Sequence, residues 1–162
     1  MKILYFGGQK SGKSRLSEQK VLSLAKEKPF YIATYDNSYA DAQMQERLAK
    51  HLARRVDRFE TIEESIYLDR VIEDGGCYLV DCLSMWLMNV LEKEVDYLPI
   101  LQNVLKRDAD IVFVLNDVSR GIIPLNALSR QYVDASGEIG QMVAAACDEV
   151  YEVVLGLERR LK

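Results

Sequence analysis

Gly7-Gly8-Gln9-Lys10-Ser11-Gly12-Lys13-Ser14 is the stretch that decides the fold of this 162-residue chain. It matches the P-loop pattern G-x-x-x-x-G-K-[ST] at every fixed position. The apolar residues 2–6 before it predict a short buried strand, and residues 13–25 after it predict a helix. Because strand, glycine loop and helix is the context that this motif requires, we expect the chain to bind a nucleoside triphosphate.

The fixed positions of the loop predict how the nucleotide is held. Glycines such as Gly7, Gly8 and Gly12 let backbone N–H groups close around phosphate oxygens, and the helix N-terminus adds partial positive charge. We expect Ser11 to belong to this phosphate cradle. Lys13 is expected to reach the β- and γ-phosphates, and the Ser14 hydroxyl to ligate Mg2+. The expected ligands are therefore Mg2+ and GTP or ATP, and the motif does not reveal which reaction follows.

The composition is that of a soluble globular protein, with 49% hydrophobic and 28% charged residues and a formal net charge of −4. This balance gives no global attraction to nucleic acid or to an acidic membrane. No apolar run approaches membrane-spanning length, and the chain enters its first strand without a signal peptide. The three cysteines follow no metal-binding spacing, which favours reduced thiols. By elimination we expect a cytoplasmic protein.

Apolar strand patterns alternate with helical patterns along the chain. Strands are predicted at residues 30–34, 77–81, 110–115 and 149–155, and helices at 39–58, 83–91, 98–106 and 132–147. This alternation predicts an α/β fold, a three-layer P-loop NTPase domain of the RecA-like type, with a mostly parallel sheet flanked by helices. Residues 1–162 are expected to form one nucleotide-binding domain.

Several polar residues follow directly on predicted strands: the P-loop, Thr34, Asp81 and Asn116. In open α/β sheets, ligands bind beyond the carboxyl ends of the strands, so we expect these residues to converge there. Thr34 is a candidate nucleotide contact. Asp81 has the position of a Walker-B acid and is a candidate to hold Mg2+ through a water, together with Ser14. The alternative for Asp81 is an ordinary acid that ends a strand.

His51 is the only histidine in the chain, and it lies in a basic segment with Arg47 and Arg55. One interpretation is a solvated basic helix face that happens to include a histidine. The other is chemical. Nearby cations favour the neutral, nucleophilic imidazole, and they could also hold a triphosphate while histidine attacks its α-phosphorus. The residues alone leave both interpretations open.

An ordered set of motifs extends from Gly7 to Val154 and resembles one known family, the bifunctional adenosylcobinamide kinase / adenosylcobinamide-phosphate guanylyltransferases of cobalamin biosynthesis. The matching stretches are Gly7-Gly8-x-x-Ser11-Gly12-Lys13-Ser14, Tyr31-Ile32-Ala33-Thr34, Asp41-x-x-Met44-x-x-Arg47-Leu48-x-x-His51, Leu79-Val80-Asp81-Cys82-Leu83-Ser84-x-Trp86, Asn116-Asp117-Val118-x-x-Gly121-Ile122-Ile123-Pro124 and Arg130-x-Tyr132-x-Asp134. The sequence departs from the family pattern at Gln43, where Glu is usual, and at Asp117-Val118-Ser119, where Glu-Val-Gly is usual.

The resemblance implies a two-step enzyme. It implies phosphorylation of adenosylcobinamide with a nucleoside triphosphate held by the P-loop. It also implies that His51 takes GMP from GTP and passes it to adenosylcobinamide phosphate. We expect Arg47 and Arg55 to steady the phosphates in the adduct step. The resemblance further implies a homotrimer in which neighbouring subunits complete the substrate cleft.

Two other functions are compatible with a P-loop on this scaffold. One is a kinase of a different small alcohol, without nucleotidyl transfer. The other is a non-catalytic nucleotide-binding regulatory module. This alternative is disfavoured because one segment contains Arg47, His51 and Arg55. A nucleic-acid-dependent ATPase is disfavoured by the acidic balance of the chain.

Overall fold

The computed structural model describes residues 1–35, 57–121 and 123–162. Seven strands in these ranges form one sheet in the order β3-β2-β4-β5-β1-β6-β7. The strands are β1 Lys2–Gly7, β2 Phe30–Ala33, β3 Glu60–Glu63, β4 Cys77–Asp81, β5 Asp110–Asn116, β6 Glu149–Val154 and β7 Leu157–Arg160. The helices are α1 Lys13–Leu24, α2 Leu68–Val71, α3 Leu83–Glu92, α4 Tyr97–Lys106 and α5 Ala127–Ala146.

All neighbouring strands pair in parallel except β6 and β7, which form an antiparallel hairpin. The central strands carry continuous apolar runs because helices cover both faces of the sheet. In β5, for example, the five residues from Ile111 to Leu115 are all buried. This mostly parallel sheet confirms the predicted fold class.

Helices pack on both faces of the sheet and make three layers. On one face, Val21 of α1 packs with Ile3 and Tyr5 of β1. On the other face, the larger core joins Leu4 of β1 to Trp86 of α3, and it also includes residues of α2, α4 and α5. Adjacent residues of β1 thus pack into the cores on opposite faces of the sheet, because side chains alternate between the two faces along a strand.

The structure differs from the predicted elements at the edges of the sheet. Strands β3 and β7 and the single turn of α2 were not predicted, and β6 ends one residue earlier than expected. Helix α5 begins at Ala127, five residues before the predicted start, because Asn126 caps it by accepting a hydrogen bond from the Ser129 amide at 3.0 Å.

The helix predicted at residues 39–58 lies outside the described residues as far as position 56. Asp57 and Arg58, which were predicted to end it, lie in a turn. Among the helices that the structure describes, none is long and apolar enough to cross a membrane.

Candidate functional site

The P-loop joins β1 to α1 and packs tightly against the β6–β7 hairpin. A side chain at Gly7 would place its Cβ 2.4 Å from the backbone oxygen of Val153. Gly12 has a φ of +105°, and a Cβ there would lie 3.1 Å from the Cα of Gly156. The Gly156 amide also donates to the Ser11 carbonyl at 2.7 Å. Glycine is therefore required at Gly7 and Gly12, and the hairpin fixes the path of the loop.

Ser11 presents a polar atom without a partner inside the loop. Its amide donates to the Gly8 carbonyl at 3.2 Å, but its hydroxyl Oγ is buried and has no hydrogen-bond partner among the described residues. A buried polar atom left unpaired costs about 1–3 kcal/mol. A phosphate oxygen at the loop would accept this hydrogen bond, so the orphaned hydroxyl fits a phosphate-binding role.

Lys13 begins α1 and is 5% exposed. Its Nζ donates to the Gly8 carbonyl at 2.7 Å and forms no salt bridge with a described carboxylate. Burial lowers the pKa of Lys13, and the nearby Asp81 and Asp117 carboxylates act in the opposite direction. The loop therefore holds an ammonium group for which an anionic ligand would provide compensation.

Asp81 ends β4 at the same edge of the sheet. The hydroxyl of Tyr31 donates to its Oδ2 at 2.5 Å, and the Tyr31 ring is 1% exposed, with Phe59 packed edge-on against it. The buried tyrosine thereby orients a half-buried carboxylate. Hydroxyl and carboxylate oxygens are the ligands that Mg2+ prefers, so Ser14 in the first turn of α1 and Asp81 suit such an ion.

Thr34 follows β2 and is 0% exposed. Its Oγ1 donates to the Cys82 carbonyl at 2.8 Å and accepts from the Cys82 amide at 2.9 Å. Asn89 of α3 donates to the Thr34 carbonyl at 2.7 Å. The hydroxyl is thus used within the protein, so Thr34 ties β2 to the turn after Asp81. A nucleotide contact through Thr34 stays a prediction.

The polar atoms of two further side chains, Ser84 and Trp86, fix the start of α3 beside the site. Ser84 accepts a hydrogen bond from the Asn116 amide at 2.7 Å, which connects α3 to the end of β5. The Trp86 indole donates to the Ile66 carbonyl at 2.7 Å, and both residues are buried. Reasoning from the residues assigned no role to Ser84 and Trp86. The signal that could have identified them is that both carry polar atoms within the apolar stretch after β4, where buried polar atoms need hydrogen-bond partners.

The loop after β5 is fastened to both the P-loop and β6. The Asp117 amide donates to the Gly7 carbonyl at 2.9 Å. Ser119 donates to the Asp117 carboxylate through its amide and its hydroxyl, at 3.1 and 2.8 Å. Arg120 bridges Asp117 and Glu152, at 2.7 Å in each case. Asp117 and Ser119 are thus partners in the same turn, where both depart from the family pattern.

The structure brings the P-loop, Asp81 and Asn116 to one edge of the sheet, as predicted. The register pairs Gly7 with Asn116, which follows from the order of β1 and β5. His51, Arg47 and Arg55 lie outside the described residues, so their roles remain predictions. Among the described residues, no group of three or more His, Cys, Asp or Glu side chains could hold a metal ion.

Comparison with known proteins identifies the family. Residues 3–161 match the family described as "Cobinamide kinase / cobinamide phosphate guanyltransferase". The chain belongs to this family. The match spans both the P-loop and the segment with His51, and it confirms the resemblance that the ordered motifs indicated.

Curated relatives match along their whole length. The chain is 37% identical over 179 residues to the bifunctional adenosylcobalamin biosynthesis protein CobP of Pseudomonas aeruginosa, covering 100% of this chain and 98% of the relative. It is 32% identical to CobU of Salmonella typhimurium and 30% identical to CobU of Escherichia coli, with 100% of each chain covered. Among solved structures, a KaiC-like protein of Pyrococcus horikoshii matches with a TM-score of 0.45 and 12% identity, covering 93% of this chain and 69% of that one.

Proposed function

We propose that this chain phosphorylates adenosylcobinamide with a nucleoside triphosphate and then transfers GMP from GTP to the product, giving adenosylcobinamide-GDP. Membership of a family described by both activities supports this reaction sequence. The observation that carries the proposal is the P-loop itself, where the buried Lys13 ammonium and the unpartnered Ser11 hydroxyl lie in one glycine cradle. Both groups are complementary to a phosphate.

In the first reaction, a hydroxyl of the acceptor attacks the γ-phosphorus of the triphosphate. The bond from this phosphorus to the β-phosphate oxygen breaks, and the hydroxyl proton leaves to solvent. Lys13 and the P-loop amides stabilise the charge on the transferred group. Mg2+ held by Ser14 and Asp81 would neutralise charge on the phosphate oxygens. Tyr31, bonded to Asp81, holds that carboxylate in place.

In the second reaction, a ring nitrogen of His51 attacks the α-phosphorus of GTP. The α–β phosphoanhydride bond breaks, pyrophosphate leaves, and GMP remains on the histidine. A phosphate oxygen of adenosylcobinamide phosphate then attacks the same phosphorus and displaces His51. Arg47 and Arg55 steady the phosphates in both steps.

The proposal extends to assembly and location. We propose a homotrimer, which is supported by large apolar side chains on the surface, since Ile123 is 78%, Leu125 97% and Leu155 91% exposed. The three cysteines are free thiols, which suits the reducing cytoplasm. Each subunit would be one nucleotide-binding domain of residues 1–162.

Mass spectrometry of the products tests the proposal. The protein is incubated with adenosylcobinamide, Mg2+ and GTP or ATP, alongside the Lys13→Ala and His51→Ala variants. We expect the wild type to form adenosylcobinamide phosphate and adenosylcobinamide-GDP. His51→Ala should stop at the phosphate, and Lys13→Ala should form little of either product. Phosphate without any GDP product from the wild type would indicate a kinase alone, and binding of nucleotide without turnover would indicate a regulatory module.

A further inference from the structure

A groove of about 300 Å3 lies between α5 and the sheet, on the face opposite α1. Its floor consists of Leu4, Phe6 and Leu115, and one wall consists of Ser136, Gly140 and Ala144. The wall residues recur every four positions, so they share one face of the helix over about 12 Å. Their small side chains leave room above the apolar floor. We call this space the α5 groove.

One end of the α5 groove reaches the nucleotide site. Asn116, Val118 and Ser119 line that end, and they follow directly on β5. Asn116 pairs in register with Gly7, where the P-loop begins, and the Asp117 amide bonds to the Gly7 carbonyl. A molecule held in the groove would therefore extend toward the carboxyl edge of the sheet, where the phosphates are expected.

Ser136 is a polar residue of the groove lining, and it is 5% exposed. A hydroxyl can donate one hydrogen bond and accept others, so this side chain offers a place where a ligand atom could bond. No charged side chain lines the groove among the described residues. Its polar groups are the neutral amides and hydroxyls of Asn116, Ser119, Ser136 and Gln141.

This lining selects the chemistry of the ligand. The absence of lining cations disfavours a phosphate, and the apolar floor favours an uncharged group that carries few polar atoms. A carboxamide on an aliphatic arm fits both conditions, because it can bond to a hydroxyl and to amides while its methylene groups cover the floor. A space of 300 Å3 admits such an arm but not a whole macrocycle.

We propose that the α5 groove is part of the acceptor site and holds a carboxamide side arm of the corrinoid, with the Ser136 hydroxyl bonded to the amide. The proposal rests on the proposed function, since it takes adenosylcobinamide as the acceptor. It assigns acceptor specificity to α5, whereas the P-loop serves the nucleotide.

Two variants and a matched control test the groove. Ala144→Leu fills the groove, and Ser136→Ala removes only the Ser136 hydroxyl. Ala145→Leu makes the same change as the first variant at the adjacent exposed position of α5. Binding of adenosylcobinamide is measured by ultrafiltration, using the visible absorbance of the corrin. The KM values for acceptor and nucleotide, and the solution mass, are measured on the same samples.

We expect Ala144→Leu to weaken acceptor binding at least about tenfold, and Ser136→Ala about threefold to tenfold, the range for one lost hydrogen bond. The KM for nucleotide and the solution mass should stay unchanged, and Ala145→Leu should behave as wild type. If Ala144→Leu does not fold, Ser136→Ala decides the question alone.

Unchanged acceptor affinity in folded variants of an active enzyme would overturn the groove assignment and leave the proposed function intact. A change in solution mass with Ala144→Leu would assign the groove to a contact between copies and would also overturn it. A wild type that neither binds nor phosphorylates adenosylcobinamide would overturn the proposed function, and the groove assignment with it.

Discussion

Replacing Thr34 with Val separates a structural role from a nucleotide contact at this position. Valine has nearly the same shape but cannot hydrogen-bond, so the change leaves the amide and the carbonyl of Cys82 unpaired in a buried place. Each unpaired group costs about 1–3 kcal/mol. Allowing for the additional apolar burial of valine, we expect the free energy of unfolding to fall by about 2–4 kcal/mol. For a chain of this size, that lowers the Tm by roughly 4–16 °C.

Differential scanning calorimetry and urea unfolding measure this loss directly. Thr61→Val is the matched control, because Thr61 is an exposed residue of the edge strand β3, and the change there should alter stability by less than about 0.5 kcal/mol. Nucleotide affinity of folded Thr34→Val should stay close to that of the wild type. Wild-type stability combined with a large loss of nucleotide affinity would refute this reasoning and show that Thr34 contacts the nucleotide.

Three other outcomes follow from the described contacts. Tyr31→Phe removes the hydroxyl that donates to Asp81, so the affinity of the nucleotide-loaded protein for Mn2+ should fall about tenfold. Electron paramagnetic resonance measures this affinity, and an unchanged value would contradict the role of Tyr31 in positioning Asp81. Burial lowers the pKa of Lys13 in the folded protein. At pH values between this pKa and that of Lys13 in the unfolded chain, the folded protein binds fewer protons than the unfolded chain. The free energy of unfolding of the nucleotide-free protein should therefore increase as the pH rises through this range. Calorimetric nucleotide affinity should fall over the same rise as the ammonium deprotonates, and Lys13→Met should remove both pH dependences; a persistent dependence would point to another group. Asn126→Ala removes the cap of α5 and should cost about 1 kcal/mol in urea unfolding without changing the KM for nucleotide, and a raised KM would instead indicate a substrate contact.

The centre of the fold could be predicted from the sequence because its strands are buried on both faces. The apolar runs of β4 and β5 have no other stable place than the middle of a covered sheet, and the P-loop fixes β1 beside them. The edges lack this signal. In β7, all four residues are exposed and three are charged, so only pairing with β6 identifies it as a strand. Strand β3 is likewise mostly exposed.

The location of the candidate site could be predicted from the sequence, but its side-chain contacts could not. Strand ends located the P-loop and Asp81 at one edge, since parallel strands end together. The sequence could not show that the Thr34 hydroxyl is already used by the Cys82 backbone. It also could not show that Tyr31 reaches the Asp81 carboxylate, because that contact joins residues on two different strands.

The start of α5 was missed for a different reason. Asn126 followed by Ser129 is a recognisable helix start, since asparagine is a strongly preferred capping residue. Glycine and proline just before it favoured a longer loop, so the helix was placed too late in the chain. The small residues that open the α5 groove give no signal of a cavity until the helix is set against the sheet.

The proposed GMP transfer requires a covalent intermediate on His51, and labelling can detect this intermediate. The protein is incubated with Mg2+ and GTP labelled at the α-phosphate, denatured, digested and mapped by mass spectrometry, with His51→Ala as the control. We expect an acid-labile GMP adduct on the peptide that contains His51, and no adduct on the variant. An adduct on another residue, or none while GTP is bound and hydrolysed, would rule out this intermediate.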